Sequence, residues 1–184
     1  MHHTMTIAGL ERNLPLCRVT DDLYIGAFVI FGDAPLTVAC AAELLKKAPE
    51  YDYLSTAEAK GIPLAHDMAR QHGDADYFIA RKHTKLYMTS VFESSVRSIT
   101  TDAEQHLYLD GKDAEKMKGK KILIVDDVIS TGESLRALEV LVEKAGGIIC
   151  GRLAILAEGD AQTRPDLIYL EKLPVFNADG SIKG

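Results

Sequence analysis

Residues 122–134 read Ile-Leu-Ile-Val-Asp-Asp-Val-Ile-Ser-Thr-Gly-Glu-Ser, and no other stretch limits the fold so tightly. Residues 122–125 are bulky, apolar and uninterrupted, the pattern of a parallel strand covered on both faces. From Glu133 onward the apolar residues Leu135, Leu138, Leu141 and Val142 follow a helical period. Two carboxylates, Asp126 and Asp127, thus stand at the end of a buried strand, where they repel each other unless a ligand or cation offsets them. Between strand and helix, Ser130, Thr131, Gly132, Glu133 and Ser134 form a turn. Its hydroxyls, its closely approachable backbone N–H groups and the positive end of the helix suit it to a phosphate.

The acids decide what kind of phosphate turn this is. The chain contains neither a Gly-x-x-x-x-Gly-Lys-Ser/Thr run nor a Gly-x-Gly-x-x-Gly run, so neither a P-loop nor a dinucleotide fingerprint is present. Carboxylates placed before the turn can accept hydrogen bonds from vicinal sugar hydroxyls while the turn holds a phosphate on the same sugar. A pentose 5′-phosphate has that spacing. Without the acids the same run would be an ordinary strand, turn and capped helix.

The rest of the chain supplies a setting for such a site. Strand patterns at 23–31, 51–55, 77–81, 122–125 and 148–157, with a weaker one at 106–109, alternate with helical patterns at 36–47, 62–72 and 133–145. This alternation predicts an α/β fold with a mainly parallel central sheet flanked by helices, and ligands at the carboxyl ends of its strands. With 184 residues, 47% of them hydrophobic, one domain can build that core. The formal charge of −6 argues against a general nucleic-acid binder. No apolar run reaches the length of a membrane span and the N-terminus lacks a signal-peptide pattern, so the expected location is cytoplasmic. Cys17, Cys40 and Cys150 have no Cys-x-x-Cys spacing and read as free thiols; His66, His72, His83 and His106 have no metal-ligand spacing.

Two further stretches carry anion chemistry. Thr56-Ala57-Glu58-Ala59-Lys60-Gly61-Ile62-Pro63 follows a strand, with Gly61 permitting an unusual backbone and Pro63 placed to open a helix. Backbone N–H groups there, with Lys60 as a point charge, can hold a second anion. Arg81, Lys82 and Lys85 gather cations at another strand end, an unusual cluster in an acidic chain. A long polar stretch, 83–104, follows; it reads as a functional loop. Glu93, Asp102 and Glu104 are its candidate acids.

Residues 122–134 resemble the signature of type I phosphoribosyltransferases, enzymes that use phosphoribosyl pyrophosphate (PRPP). Glu58-Ala59-Lys60-Gly61-Ile62 resembles the Glu-Ala/Ser-Arg-Gly-Phe of adenine phosphoribosyltransferases, with Lys60 and Ile62 departing from it. Arg81-Lys82-His83 is similar to xanthine phosphoribosyltransferases and to related PRPP-binding purine repressors. The resemblance covers roughly 50–160. It implies a single domain over 1–184, with a core at about 35–160 and a small hood from about 1–34 and 161–184. It implies a purine phosphoribosyltransferase, a glycosyltransferase of purine salvage, with adenine favoured, and xanthine/guanine transfer or a non-catalytic PRPP-binding regulator as alternatives. Asp126 and Asp127 would be catalytic and serve Mg2+ directly or through PRPP or water. Residues 130–134 would take the 5′-phosphate, and Ala59, Lys60, Gly61, Arg81, Lys82 and Lys85 the pyrophosphate. Val128 and Phe176 would contact the base, although Phe176 equally suits packing of the tail. The resemblance also implies a homodimer, a mobile lid over 84–104, and a non-proline cis peptide just before Lys60.

Overall fold

The computed structural model describes residues 1–97 and 104–183. In chain order its elements are β1 (His2–Ile7), β2 (Leu10–Arg18), β3 (Tyr24–Gly26), α1 (Ala34–Leu45), β4 (Tyr53–Ala57), α2 (Gly61–His72), β5 (Tyr77–Ala80), β6 (Phe92–Arg97), β7 (Glu104–Leu109), α3 (Gly111–Met117), β8 (Lys121–Ile129), α4 (Glu133–Lys144), β9 (Ile148–Glu158), a 3₁₀ turn (Gly159–Thr163), β10 (Ile168–Leu173) and β11 (Val175–Phe176). Five strands form a parallel sheet in the order β10-β9-β8-β4-β5. The expected α/β architecture is therefore present.

Alternation along β8 builds two cores at once. Ile122 and Ile124 join Leu135, Leu138 and Leu141 of α4 and Met117 of α3. Leu123 and Val125 join Leu36, Cys40 and Leu44 of α1 and Leu64 and Met68 of α2. A strand whose successive side chains all enter apolar layers has to be apolar throughout, which is why this run was legible in the sequence.

A second sheet, β1-β2-β3-β11, is antiparallel and joins the two ends of the chain into a hood. The β1–β2 hairpin turns at Ala8 and Gly9, with φ of 49° and 79°, the pair of positive values that a tight hairpin turn takes. The strand expected at 23–31 contracts to β3. Beyond it Phe28 and Ile30 are buried while Val29 and Phe31 are exposed, so the alternation is real but the segment has no ladder partner among the described residues. β10, from the segment assigned to the hood, is instead an edge strand of the parallel sheet.

In the polar stretch at 83–104, read as a loop, the described part contains a strand, and residues 98–103 of the expected lid lie outside the described residues. Phe92–Arg97 pairs with Glu104–Leu109 as an antiparallel arm. The arm is pinned to α4: the Ser94 hydroxyl donates to the Ala137 carbonyl at 2.9 Å, and Lys144 Nζ donates to the Glu93 carbonyl at 2.6 Å. Of the candidate loop acids, Glu93 pairs with His106 at 2.8 Å, Glu104 begins β7, and Asp102 lies outside the described residues.

Candidate active site

The site begins where two strands part. β4 pairs with β8 only as far as Ser55 opposite Ile124, whereas β9 stays paired with β8 out to Ile129 opposite Ala157. Chain order reverses at this point: β4 leads outward to β5, and β8 leads the other way to β9 and β10. Such a switch point leaves a crevice at the carboxyl edge. The strand also runs four residues past Val125, so Asp126 and Asp127 lie within β8 and not at its end; β9 continues alongside, with Ala154 opposite Asp126 and Leu156 opposite Val128. A cleft of about 660 Å³ opens here, lined by Glu58, Ala59, Lys60, Lys82, Asp126, Asp127, Val128 and all of residues 130–134, among others.

The 130–134 turn joins the end of β8 to α4. Gly132 takes the left-handed conformation (φ 78°, ψ 7°) as the residue that caps α4, and no side chain caps the helix there. Thr131 Oγ1 accepts a long hydrogen bond from the Glu133 N–H at 3.5 Å.

The second turn is organised by residues distant in sequence. The Glu58 carboxylate accepts from the Lys82 backbone N–H at 3.1 Å and from the Arg81 guanidinium at 3.2 Å. These contacts, the Lys82 N–H first, hold the Glu58 carboxyl below its ordinary range, with Lys85 adding positive charge. Lys60 reaches across the cleft, its Nζ 3.2 Å from Asp127 Oδ2. Gly61 opens α2 without a positive φ; its requirement is space. A Cβ there would lie 2.1 Å from Thr56 Oγ1 and 3.1 Å from Asp126 Oδ1. The cis peptide joins Glu58 to Ala59, one bond earlier than expected.

The acid pair sits under electrostatic tension. Burial pushes the Asp126 carboxyl up to about 7, and the neighbouring Asp127 charge adds to the rise. The Asp127 N–H donates to Asp126 Oδ1 at 2.8 Å. Asp127 is almost fully buried; its Oδ2 faces Lys60 without hydrogen-bond geometry, and Ser55 Oγ and Thr56 Oγ1 are likewise buried without a hydrogen-bond partner among the described residues. Buried acceptors left in this state favour a ligand that brings donors or positive charge.

The expected site residues are thus largely brought together, with exceptions. Gly61, Arg81 and Lys85 are not among the residues that line the cleft, and Arg81 is tied to Glu58. Phe176 does not reach the cleft: it is buried in the hood sheet, its ring 4.9 Å from that of His3. β3 and β11 pair there, and the tail packs inward on that pairing. Sequence reasoning missed the contribution of the β7 arm, whose His106, Leu107 and Tyr108 line the cleft; only a weak alternating pattern marked it. It also missed Glu158 at the end of β9, a half-buried carboxyl raised by burial and opposed by Lys60.

Comparison with known proteins gives the same grouping. The chain is 35% identical over 134 residues to a hypoxanthine/guanine phosphoribosyltransferase of Methanothermococcus okinawensis, covering 70% of this chain and 69% of that protein. It is 33% identical over 126 residues to an adenine phosphoribosyltransferase of Kosmotoga olearia, covering 68% and 69%. Among the first such relatives the chain spans between 56% and 69% of their length. The fold matches the crystal structure of adenine phosphoribosyltransferase from Thermoanaerobacter pseudethanolicus with a TM-score of 0.64 at 24% identity, over 78% of this chain and 84% of that one. The phosphoribosyl transferase domain model matches residues 32–179, which contain both turns, the acid pair and the fork between β4 and β8; the chain belongs to the phosphoribosyltransferase family.

Proposed function

We propose that this protein transfers the 5-phosphoribosyl group of PRPP to a purine base, adenine being preferred, and releases a nucleoside monophosphate and pyrophosphate. The observation that carries this reading is the meeting of two anion-suited turns, 58–61 and 130–134, on either side of Asp126 and Asp127 in one cleft. A sugar phosphate and a pyrophosphate on one molecule match that arrangement. In the reaction the bond between the anomeric carbon and the pyrophosphate oxygen breaks, a purine ring nitrogen bonds to that carbon, and the base gives up a proton. The 130–134 turn holds the 5′-phosphate, the acids accept from the ribose hydroxyls, and the Lys60 and Lys82 region receives the departing charge. Asp126, with its carboxyl near neutral pKa, is placed to take part in proton movement.

Magnesium fits this donor set. Asp126 and Asp127 are hard oxygen ligands with a buried acceptor to spare, and the described residues contain no cluster of three ligating side chains, so PRPP's own oxygens would complete the shell. When bound, the ion offsets pyrophosphate charge. We further propose a cytoplasmic homodimer; among the described residues no helix is long and apolar enough to cross a membrane.

The preference for adenine rests on Glu58-Ala59-Lys60-Gly61. A second reading, hypoxanthine/guanine transfer, is favoured by relatives bearing that name. Initial rates with adenine, hypoxanthine, guanine, xanthine and orotate at fixed PRPP and magnesium decide between them: adenine is expected fastest, a 6-oxopurine preference selects the second reading, and orotate turnover defeats both.

A further inference from the structure

Behind the phosphate turn lies a network of charges that the reaction itself does not use. Glu139, on the buried side of α4 and with 5% of its side chain exposed, faces Arg152 of β9 at 2.5 Å, Arg136 at 3.3 Å and Arg164 at 3.7 Å. Arg164, between the 3₁₀ turn and β10, grips Asp166 at two points, Nε at 3.0 Å and Nη2 at 2.8 Å. Its remaining nitrogen, Nη1, stands 3.0 Å from the place a Cβ on Gly132 would occupy. Three guanidinium groups and two carboxylates therefore meet here, and Arg164 brings this network up against the turn at the N-terminus of α4.

We infer that Arg164 is a positioning residue for the 130–134 turn: locked by Asp166 and Glu139, it fixes Gly132 in its left-handed conformation and adds positive potential where the sugar phosphate docks. This rests on the reading of that turn as the 5′-phosphate site. A planar, two-point grip on Asp166 leaves the guanidinium little freedom, which is how a fork of donors positions better than an ammonium. Gly132 is favoured as glycine by its φ of 78°, and a Cβ there would also crowd Arg164 Nη1.

The test separates the two ends of the substrate. With magnesium present, ribose 5-phosphate and pyrophosphate are titrated calorimetrically into wild type, Arg164→Ala, Arg164→Lys, Asp166→Asn and Thr131→Ala, alongside KM for PRPP and kcat. Arg164→Ala is expected to weaken ribose 5-phosphate by about three- to tenfold, the scale of a charge at a helix terminus. Pyrophosphate affinity should stay within about twofold, and KM for PRPP should rise more than kcat falls. Arg164→Lys keeps the charge and loses the grip, so it recovers part of the loss. If Arg164→Ala does not fold, Asp166→Asn carries the test, because it frees the guanidinium while leaving it charged; ribose 5-phosphate must again weaken selectively. Unchanged ribose 5-phosphate affinity in the Arg164 and Asp166 variants, with Thr131→Ala impaired, overturns the positioning role alone. An unimpaired Thr131→Ala overturns the phosphate reading of the turn as well.

Discussion

The two anion turns of the cleft are built on opposite plans. The backbone of the 130–134 turn is built locally, with Arg164 as the long-range support inferred for it: a strand, a left-handed glycine and a helix N-terminus follow one another within a single short run. The 58–61 turn is assembled from a distance, with Glu58 tied to Arg81 and Lys82 on the far side of β5 and Lys60 paired with Asp127 from the neighbouring strand. The first offers dipoles and hydroxyls fixed by backbone conformation. The second offers cations of which Lys60 and Arg81 already have carboxylate partners, so a ligand that uses them has to displace or share existing ion pairs. A turn of the first kind gives positional precision; one of the second kind gives charge that, in the proposed reaction, can be redistributed as pyrophosphate leaves.

The largest effect should come from the acids that lie between the turns. Asp126→Asn together with Asp127→Asn is expected to lower nucleotide synthesis by at least about a thousandfold, the scale of removing acid–base and electrostatic groups from a reacting centre. The thermal midpoint of the same preparation should hold or rise, since two crowded buried charges are gone. Near-normal turnover would remove these residues from the mechanism.

What could be read in advance follows the same division. β8, the 130–134 turn and α4 were legible because each is set by residues adjacent in sequence: an uninterrupted apolar run, a glycine, a helical period. The role of Glu58 was not, although it was visible inside the motif, because its partners are 23 and 24 residues away. The hood hairpin escaped because Ala8-Gly9 is a weak turn signal and its strands are mostly exposed on one face. Phe176 stays open between base stacking and tail packing in the sequence because an aromatic near a chain end has the same appearance in both; the structure shows it packed. Arg164 carried no local signal at all; its meaning comes from Gly132, 32 residues earlier.

The second turn can be broken sterically. Gly61→Ala would force a methyl group to within 2.1 Å of Thr56 Oγ1, at a cost of about 1–3 kcal/mol as in other overpacked sites. A lowered midpoint and a raised KM for PRPP are expected, and Thr56→Ala added to it should restore much of both by removing the clashing oxygen. Gly132→Ala, at φ 78°, should cost about 1–2 kcal/mol through backbone strain, and no change at Thr56 should relieve it. If Thr56→Ala rescues both glycine variants equally, the two turns do not differ in the way described.

pH sharpens the comparison. The folded-state Asp126 carboxyl stands at about 7, above the unfolded value near 4, so the folded protein holds an extra proton between those values. Its stability contribution is therefore lost as pH rises through that window. Ligand binding should run the other way, because ribose hydroxyls need the carboxylate: kcat/KM for PRPP is expected to climb as pH rises through about 7, with one proton released. Asp127→Asn removes a neighbouring charge and should move the same titration, followed by ribose 5-phosphate binding, to lower pH. A titration that stays in place would assign it to another group.

The smallest expected effect tests whether the distant ties tune only their own turn. Glu58→Gln keeps an acceptor for the Lys82 N–H but removes the charge that Arg81 and Lys85 face. Arg81 is partly exposed, so the lost ion pair is worth at most about 1 kcal/mol. With that carboxylate neutral, the turn's cations are less compensated, and pyrophosphate should bind about two- to threefold tighter, with a steeper dependence on salt. Ribose 5-phosphate, held at the backbone-built turn, should bind as in wild type. Glu58→Ala, which also strips the Lys82 N–H of its acceptor, should weaken pyrophosphate instead, because the cations lose their anchor along with their counter-charge. Equal shifts in the two ligands would mean that the turns act as one electrostatic unit, and the local and long-range plans would then be a difference of construction without a difference of function.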